Sequence, residues 1–390
     1  MYKLNKFAFD QPTKILCGEG ALQELPEELK RLQAKNILIV CDIGIIKAGI
    51  VDLVKESMKD VKDMNVYLYD KIIPNPLDTT MDDGYEFARQ NDIDTIIGIG
   101  GGSSLDSAKG IALLMTNGGK MREYLMDGKV VANKIAPTIC IPTTAGTGSE
   151  VTRTVVATDS ITKFKDGFKY ADTIYAEVAI LDPILMANLP APVLAACAMD
   201  ALTHAIESYI TWKANPITDA LNEGAIRLIS ENINGAYSQP KDIEAKEKLL
   251  LGSCITGIAF DQAGLGLAHC MGHPMGGLFN VPHGVACAMA LPVTMEFNAI
   301  ANPDKMSIIA KILGVNIDGL SKGEAALKGV EKVRQMMEDV NLPKTLGEVG
   351  IEEKDIPALV KDAMGFPGMI GANPRVASET DVDHLFRKLL

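Results

Sequence analysis

Residues 95–115 read TIIGIGGGSSLDSAKGIALLM. Thr95 to Ile99 is a short apolar run rich in β-branched residues, which reads as a buried strand. Three glycines follow, and Ser104 to Met115 then reads as a helix. Strand, glycine turn and helix in that order form the repeating unit of a parallel α/β sheet. Glycine lets the backbone come close to a phosphate, and the first turn of a helix presents unused N–H groups. The letters are not G-x-G-x-x-G, and no Gly-Lys-Ser/Thr follows to make a Walker A loop. A plain tight turn with Ser103 or Ser104 as N-cap has the same letters.

The same alternation extends on both sides. Ile37 to Cys41 (ILIVC), Val66 to Asp70 (VYLYD), Thr138 to Ile141 and Val178 to Leu181 (VAIL) read as strands. Between them, Ile46, Ile50, Val54 and Met58 place a helix over Ile45 to Lys59, and Thr79 to Gln90 reads as another. Strands alternating with helices predict a parallel sheet covered on both faces. A second small-residue loop, PTTAGTGSE at 142–150, follows the fourth strand and carries four hydroxyls in seven residues. Two such loops behind two strands favour a dinucleotide over a single phosphate. Asp42 ends the first strand, where an acidic side chain bonds the adenosine ribose in dinucleotide folds. There it would also repel a 2′-phosphate. Two charges about 4 Å apart interact by about 4 kcal/mol at an effective dielectric of 20, and a third of that is roughly a tenfold preference. A solvated loop aspartate is the alternative.

After Asp182-Pro183 the period changes. Leu194–Ile210, Asp219–Ile233, Ala245–Ile258, Pro303–Leu313 and Gly323–Met337 are amphipathic helical patterns, with almost no period-two alternation. The boundary is placed near 185. This gives a Rossmann-like α/β domain over residues 1–185 and an all-α domain over residues 186–390. Ligands of open α/β sheets bind beyond the carboxyl ends of the strands, so the site is expected in the cleft between the halves.

Histidine is scarce, with only five in the chain, yet His269, His273 and His283 fall close together. Asp200 and His204 stand at i and i+4 in AMDALTHAIESY, so they share a helix face. His269 and His273 do the same in GLAHCMGHPMGG, and His283 follows in NVPHGVA. One carboxylate and three or four imidazoles make a divalent-metal site with room for a substrate oxygen. His384 reads as surface, Cys270 as a buried thiol, and Trp212 as either core or pocket wall.

Composition bounds the rest. The chain has 390 residues, 47% hydrophobic and 23% charged, with a net charge of −12. A globular protein of two domains fits those figures, whereas nucleic acid and anionic membrane are poor partners for so acidic a chain. The seven cysteines include no Cys-x-x-Cys and read as reduced thiols. No signal peptide and no run of about 18–20 apolar residues is seen, so the expected location is the cytoplasm.

Taken together, GGGSSLDSAK, PTTAGTGSEVT, MDALTHAIESY, and HCMGHPMGG with NVPHGVA resemble the iron-containing (group III) alcohol dehydrogenase family. The likeness covers nearly the whole chain. It runs from Phe9-x-x-Pro12-Thr13-Lys14-Ile15 to the Asn373-Pro374-Arg375 turn. The resemblance implies the dehydroquinate synthase-like architecture. It implies NAD(H) and one divalent metal as cofactors, Fe²⁺ foremost and Zn²⁺ as the other choice. It implies Asp200, His204, His269 and His283 as metal ligands, and His273 as a non-ligating histidine near the substrate. It implies nucleotide contacts by Asp42, Asn75, Gly101, Gly102, Ser103, Thr143, Thr144 and Thr147, with Asp106 placed beside them. A lysine near the nicotinamide ribose is also implied, and Lys163, Lys165 and Lys169 are left open for it.

On this reading the protein moves hydride between nicotinamide C4 and a small alcohol or aldehyde, with His273 relaying the proton. Glycerol dehydrogenase activity, or lyase chemistry of the dehydroquinate synthase kind, is the alternative on the same fold. A homodimer or larger homo-oligomer is the expected assembly.

Overall fold

The computed structural model describes residues 6–169 and 173–390. The chain forms two compact units, one of Asp10–Leu189 and one that contains Pro190–Leu390.

The first unit is built on a six-stranded sheet. Its strands are β1 (Lys14–Cys17), β2 (Asn36–Asp42), β3 (Asn65–Ile72), β4 (Thr95–Gly100), β5 (Thr138–Pro142) and β8 (Val178–Leu181). They lie in the order β1-β8-β5-β4-β2-β3, and every pairing is parallel. Alternation along β2 explains why both faces are covered. Ile37, Ile39 and Cys41 join one apolar cluster with Leu29, Val51 and Val54. Leu38 and Val40 join the opposite one with Met81, Ile111 and Leu114. The helices of this unit are α1 (Leu25–Arg31), α2 (Ile43–Lys47), α3 (Ile50–Ser57), α4 (Asp78–Gln90), α5 (Gly102–Asn117) and α6 (Met121–Leu125).

The sheet order fixes where a ligand can sit. From β2 the chain steps outward to β3, then returns to the other side of β2 for β4. The carboxyl ends of β2 and β4 therefore flank the topological switch point, where open α/β sheets bind ligands. Asp42 and the glycine turn occupy those two ends.

The second unit is helical among the described residues. It contains α7 (Ala191–Ile210), α8 (Pro216–Ser238), α9 (Ile243–Ala263), α10 (Leu267–Phe279), α11 (His283–Asn298) and α12 (Pro303–Ile312). It continues with α13 (Lys322–Asp339), α14 (Ile356–Ala363), α15 (Pro367–Ala372) and α16 (Glu379–Arg387). Capping boxes start α8 (Asn215 with Thr218), α13 (Ser321 with Glu324) and α16 (Ser378 with Asp381). The α7 helix packs on α8, α9 and α11, and α10 packs on α11. Among the described residues no single helix is long and apolar enough to cross a membrane, and the α9–α10 pair is bent by 106° at its break.

Three details depart from the sequence reading. The helix expected over Ile45–Lys59 is two, because Gly49 takes a left-handed φ of 74° and breaks it. The α5 helix begins at Gly102, with Gly101 as N-cap and no side-chain cap, so neither Ser103 nor Ser104 caps it. The reading also lacks β1 and a separate antiparallel hairpin of β6 (Thr154–Thr158) and β7 (Lys165–Lys169). The strand β1 (KILC) has only four residues and β7 (KDGFK) is mostly polar, which hides them from an apolar-run pattern.

Candidate metal and nucleotide sites

Asp42 caps α2, with Oδ1 accepting from Gly44 N at 2.7 Å and Ile45 N at 3.3 Å. Its Oδ2 accepts from Ser104 Oγ at 3.5 Å, which ties the end of β2 to the first turn of α5. The two small-residue loops also meet. Thr143 N donates to Gly100 O at 3.0 Å. A Cβ on Gly102 would stand 2.8 Å from Thr147 Cγ2, and one on Gly101 would stand 3.3 Å from Thr144 Oγ1. Glycine at 102 is thus required for the loops to close on each other. The structure brings Asp42, Gly101, Gly102, Ser103, Thr143, Thr144 and Thr147 to one edge of the sheet, around a helix start whose N–H groups have no side-chain cap.

Asp106, expected among the nucleotide contacts, has both carboxylate oxygens taken up within the protein. Oδ1 accepts from Ser149 Oγ at 2.5 Å, and Oδ2 from Val156 N at 3.2 Å. Buried Lys109, 3.2 Å from Asp106, donates to the carbonyls of Ser149, Thr152 and Thr154. This pair pins the second loop to α5. Asn75 is exposed, and its Oδ1 accepts from Lys165 Nζ at 2.8 Å. Of the three open lysines, Lys165 reaches an expected nucleotide contact, Lys163 donates to Ser160 O, and the Lys169 side chain lies outside the described residues.

In the helical unit, Asp200 and His204 lie on α7, His269 and His273 on α10, and His283 is the first residue of α11. A Cβ on Gly284 would be 2.3 Å from Ala196 O, so glycine there lets the start of α11 lie directly on α7. That approach sets His283 beside Asp200. The Nε2 atoms of His269 and His283 are each 3.8 Å from Asp200 Oδ1.

Glu207, absent from the sequence reading, organises this cluster. It accepts from the backbone N–H groups of Gly266 and Ala268, so it caps α10, whose own N-cap is a glycine. His269 Nδ1 is 2.6 Å from Glu207 Oε2. Because the carboxylate is an acceptor, Nδ1 carries the proton, which leaves the lone pair on Nε2. That Nε2 is buried and makes no hydrogen bond among the described residues. Burial pulls the His269 pKa down, but the hydrogen bond to Glu207 and the charges of Glu207 and Asp200 outweigh it, and the net shift is upward. A buried imidazole lone pair beside a buried carboxylate is the donor set of a metal ion, and the carboxylate behind the histidine is its usual support. The spacing from Asp200 to Glu207 was the available signal, since seven residues are two helical turns on one face.

The donor atoms of Asp200, His269, His283 and Cys287 all lie within 4.8 Å of one another. His204 falls outside that group. Its ring is stacked between Phe260, at 4.5 Å, and His269, at 4.4 Å. His273 is partly exposed, 5.5 Å from the His283 ring and stacked on Phe366 at 4.7 Å. Cys270 is buried, His384 is exposed, and Trp212 is 64% exposed, so it is not core.

Comparison with known proteins agrees with this chemistry. Residues 12–183 match the model of iron-containing alcohol dehydrogenase, and residues 194–390 match the C-terminal model of the Fe-containing alcohol dehydrogenase family. The chain is 38% identical to 1,3-propanediol dehydrogenase of Citrobacter freundii over 98% of both chains. It is 36% identical to NAD-dependent methanol dehydrogenase of Bacillus methanolicus, covering 97% of this chain and 98% of that one. A crystal structure of 1,3-propanediol oxidoreductase superposes with a TM-score of 0.95 at 37% identity, covering 99% of this chain and 100% of that one. The chain belongs to the iron-containing alcohol dehydrogenase family, with the dehydroquinate synthase-like fold, and is an oxidoreductase of alcohols and aldehydes.

Proposed function

We propose that the protein reduces a small aldehyde with NADH, or oxidises the corresponding alcohol with NAD⁺, at a divalent metal held by Asp200, His204, His269 and His283. The observation that carries this is His269, whose Nδ1 is fixed by Glu207 and whose buried Nε2 stands 3.8 Å from Asp200. When bound, the ion supplies Lewis acidity toward the substrate oxygen, and the nicotinamide gives or takes the hydride. The chain's own residues do the positioning. The uncapped start of α5 receives the pyrophosphate, and Thr143, Thr144 and Thr147 close over it. Asp106 and Lys109 hold the second loop in place, and Asn75 and Lys165 stand at the end of β3. Asp42 accepts from the adenosine ribose. His273 is the proton relay, since it combines partial exposure with a ring beside His283.

The direct test is anaerobic NADH oxidation with Fe²⁺ or Zn²⁺ over a panel of short aldehydes, with a chelated control. Metal-dependent turnover is expected. Turnover that survives chelation and dialysis sinks the metal assignment, and silence across the panel with NADH bound points to lyase chemistry. His273→Ala should keep its metal and lower kcat by about 10²–10⁴-fold, the range of general acid–base catalysis. Loss of metal instead would make His273 a ligand.

Asp42 also needs a particular variant. Because it caps α2, Asp42→Ser keeps a capping oxygen while removing the charge. The ratio of NADP to NAD turnover should rise roughly tenfold. An unchanged ratio would take Asp42 out of the ribose site.

The same reading places the protein in the cytoplasm as a homodimer or larger homo-oligomer, and light scattering on the metal-loaded protein measures the latter.

A further inference from the structure

Phe366 lies between α14 and α15 and is 7% exposed. Its ring is stacked on the His273 ring, with centroids 4.7 Å apart and planes 26° from parallel. Its carbonyl accepts from the buried Cys270 Sγ at 3.9 Å, about one turn before His273 on α10. Both the backbone and the side chain of Phe366 thus rest on the helix that carries His273.

The segment that follows Phe366 is tied down at its far end. Asn298, the last residue of α11, and Asn373 are buried and exchange two amide hydrogen bonds. Asn298 Nδ2 donates to Asn373 Oδ1 at 3.0 Å, and Asn373 Nδ2 donates to Asn298 Oδ1 at 2.7 Å. Trp212 N, just past the end of α7, donates to Ala372 O at 3.0 Å. Arg375 lies 3.8 Å over the Phe297 ring and donates to Phe297 O at 3.3 Å. A Cβ on Gly266 would stand 2.9 Å from Asn373 Oδ1, so the start of α10 abuts the same turn. From Phe366 to Arg375 the chain is a strap fixed to α10 and to the ends of α7 and α11. The Asn373-Pro374-Arg375 turn is its anchor, and the Phe366 ring is what it delivers.

We infer that Phe366 is a positioning residue for His273, holding the imidazole in the one orientation that serves the site. The inference rests on the relay role proposed above for His273 and names what fixes that side chain. His273 is partly exposed, and exposed side chains turn between rotamers on a picosecond to nanosecond scale. A flat aromatic neighbour favours the rotamer that stacks on it. Without the stack, the share of molecules with the imidazole in place falls by the factor that the contact is worth, about two- to tenfold.

The test joins spectroscopy to kinetics. The full-length, zinc-loaded protein carries isotope-labelled histidine, and the His273 ring signals are those missing from His273→Ala. At about pH 9 ordinary imidazoles are neutral. The His273 ring protons should then lie upfield of those of exposed His384, because the Phe366 ring shields protons above its face. They should move downfield in Phe366→Leu. In single-turnover NADH oxidation at saturating aldehyde, Phe366→Leu should lower the rate about two- to tenfold, with metal content unchanged. In the His273→Ala background the same substitution should have no effect. An equal loss in both backgrounds, or none in either, overturns the positioning role and leaves the relay standing. A His273→Ala protein as fast as wild type overturns the relay and the inference with it. Wild-type His273 signals at the His384 position overturn the stack even if Phe366→Leu fails to fold.

Discussion

His283→Ala is expected to yield a folded protein that has lost its metal and nearly all its turnover. The side chain is 29% exposed and begins α11, so its removal opens no core cavity. What disappears is one of the two imidazoles whose Nε2 stands 3.8 Å from Asp200 Oδ1. Lewis-acid stabilisation of a developing oxyanion is worth several kcal/mol. At 1.36 kcal/mol per decade, about 4 kcal/mol is a thousandfold in kcat/KM. Metal analysis after dialysis, circular dichroism and turnover should be measured on the same preparation. Added metal should raise the Tm of the wild type, because it binds only the folded state, and should leave His283→Ala unmoved. A variant with native spectrum and full activity would end the ligand assignment.

Glu207→Gln gives the second large effect, through a residue that is not itself expected to touch the ion. The carboxylate accepts from Gly266 N, Ala268 N and His269 Nδ1. An amide has a single oxygen, and with it at the Oε1 position it keeps the bond from Ala268 N but turns its NH₂ toward Gly266 N and His269 Nδ1. It then offers an N–H to Nδ1, which forces the proton of His269 onto Nε2, the atom aimed at Asp200. Metal affinity should fall by about 10–100-fold, the usual cost of losing such a support. Glu207→Ala should also destabilise the fold by about 1–3 kcal/mol for each buried donor left without a partner. Equal metal affinity in wild type and Glu207→Gln would show that the tautomer is set elsewhere.

The same geometry fixes a pH dependence. Metal and proton compete for His269 Nε2. Burial alone would lower the imidazole's pKa, but Glu207 and Asp200 carry it above the ordinary value of about 6.5. Metal affinity therefore declines as pH falls through that raised value and levels off above it. Without metal the sign is reversed. A folded pKa above the unfolded one gives stability that is complete below the ordinary imidazole value and lost as pH rises through the raised one.

The central strands of the sheet were legible because they are buried on both faces and therefore continuously apolar, as ILIVC and VAIL are. The hairpin Thr154–Lys169 was not, since its strands are five residues each and KDGFK is mostly polar. The histidines announced themselves by scarcity and by i, i+4 spacing. Cys287 stands four residues from His283 and Glu207 seven from Asp200, two turns on one face, but glutamate is too common to stand out, and a cysteine on an apolar helix reads as core. Nor does the sequence say which glycine is needed for a turn and which for close approach. Gly284 and Gly272 acquire meaning only when Ala196 O and Cys287 Sγ are found against them.

Every candidate metal ligand belongs to the unit containing Pro190–Leu390, and every candidate nucleotide contact to Asp10–Leu189. The two loadings draw on different hydrophobic cores and different hydrogen bonds. On the proposed function the ion would be held within one unit, by residues that α7, α10 and α11 bring together. The coenzyme would be received by the other unit, at a helix start whose N–H groups have no side-chain cap. Loss of metal and loss of coenzyme are then expected to be separable defects, each arising in its own unit.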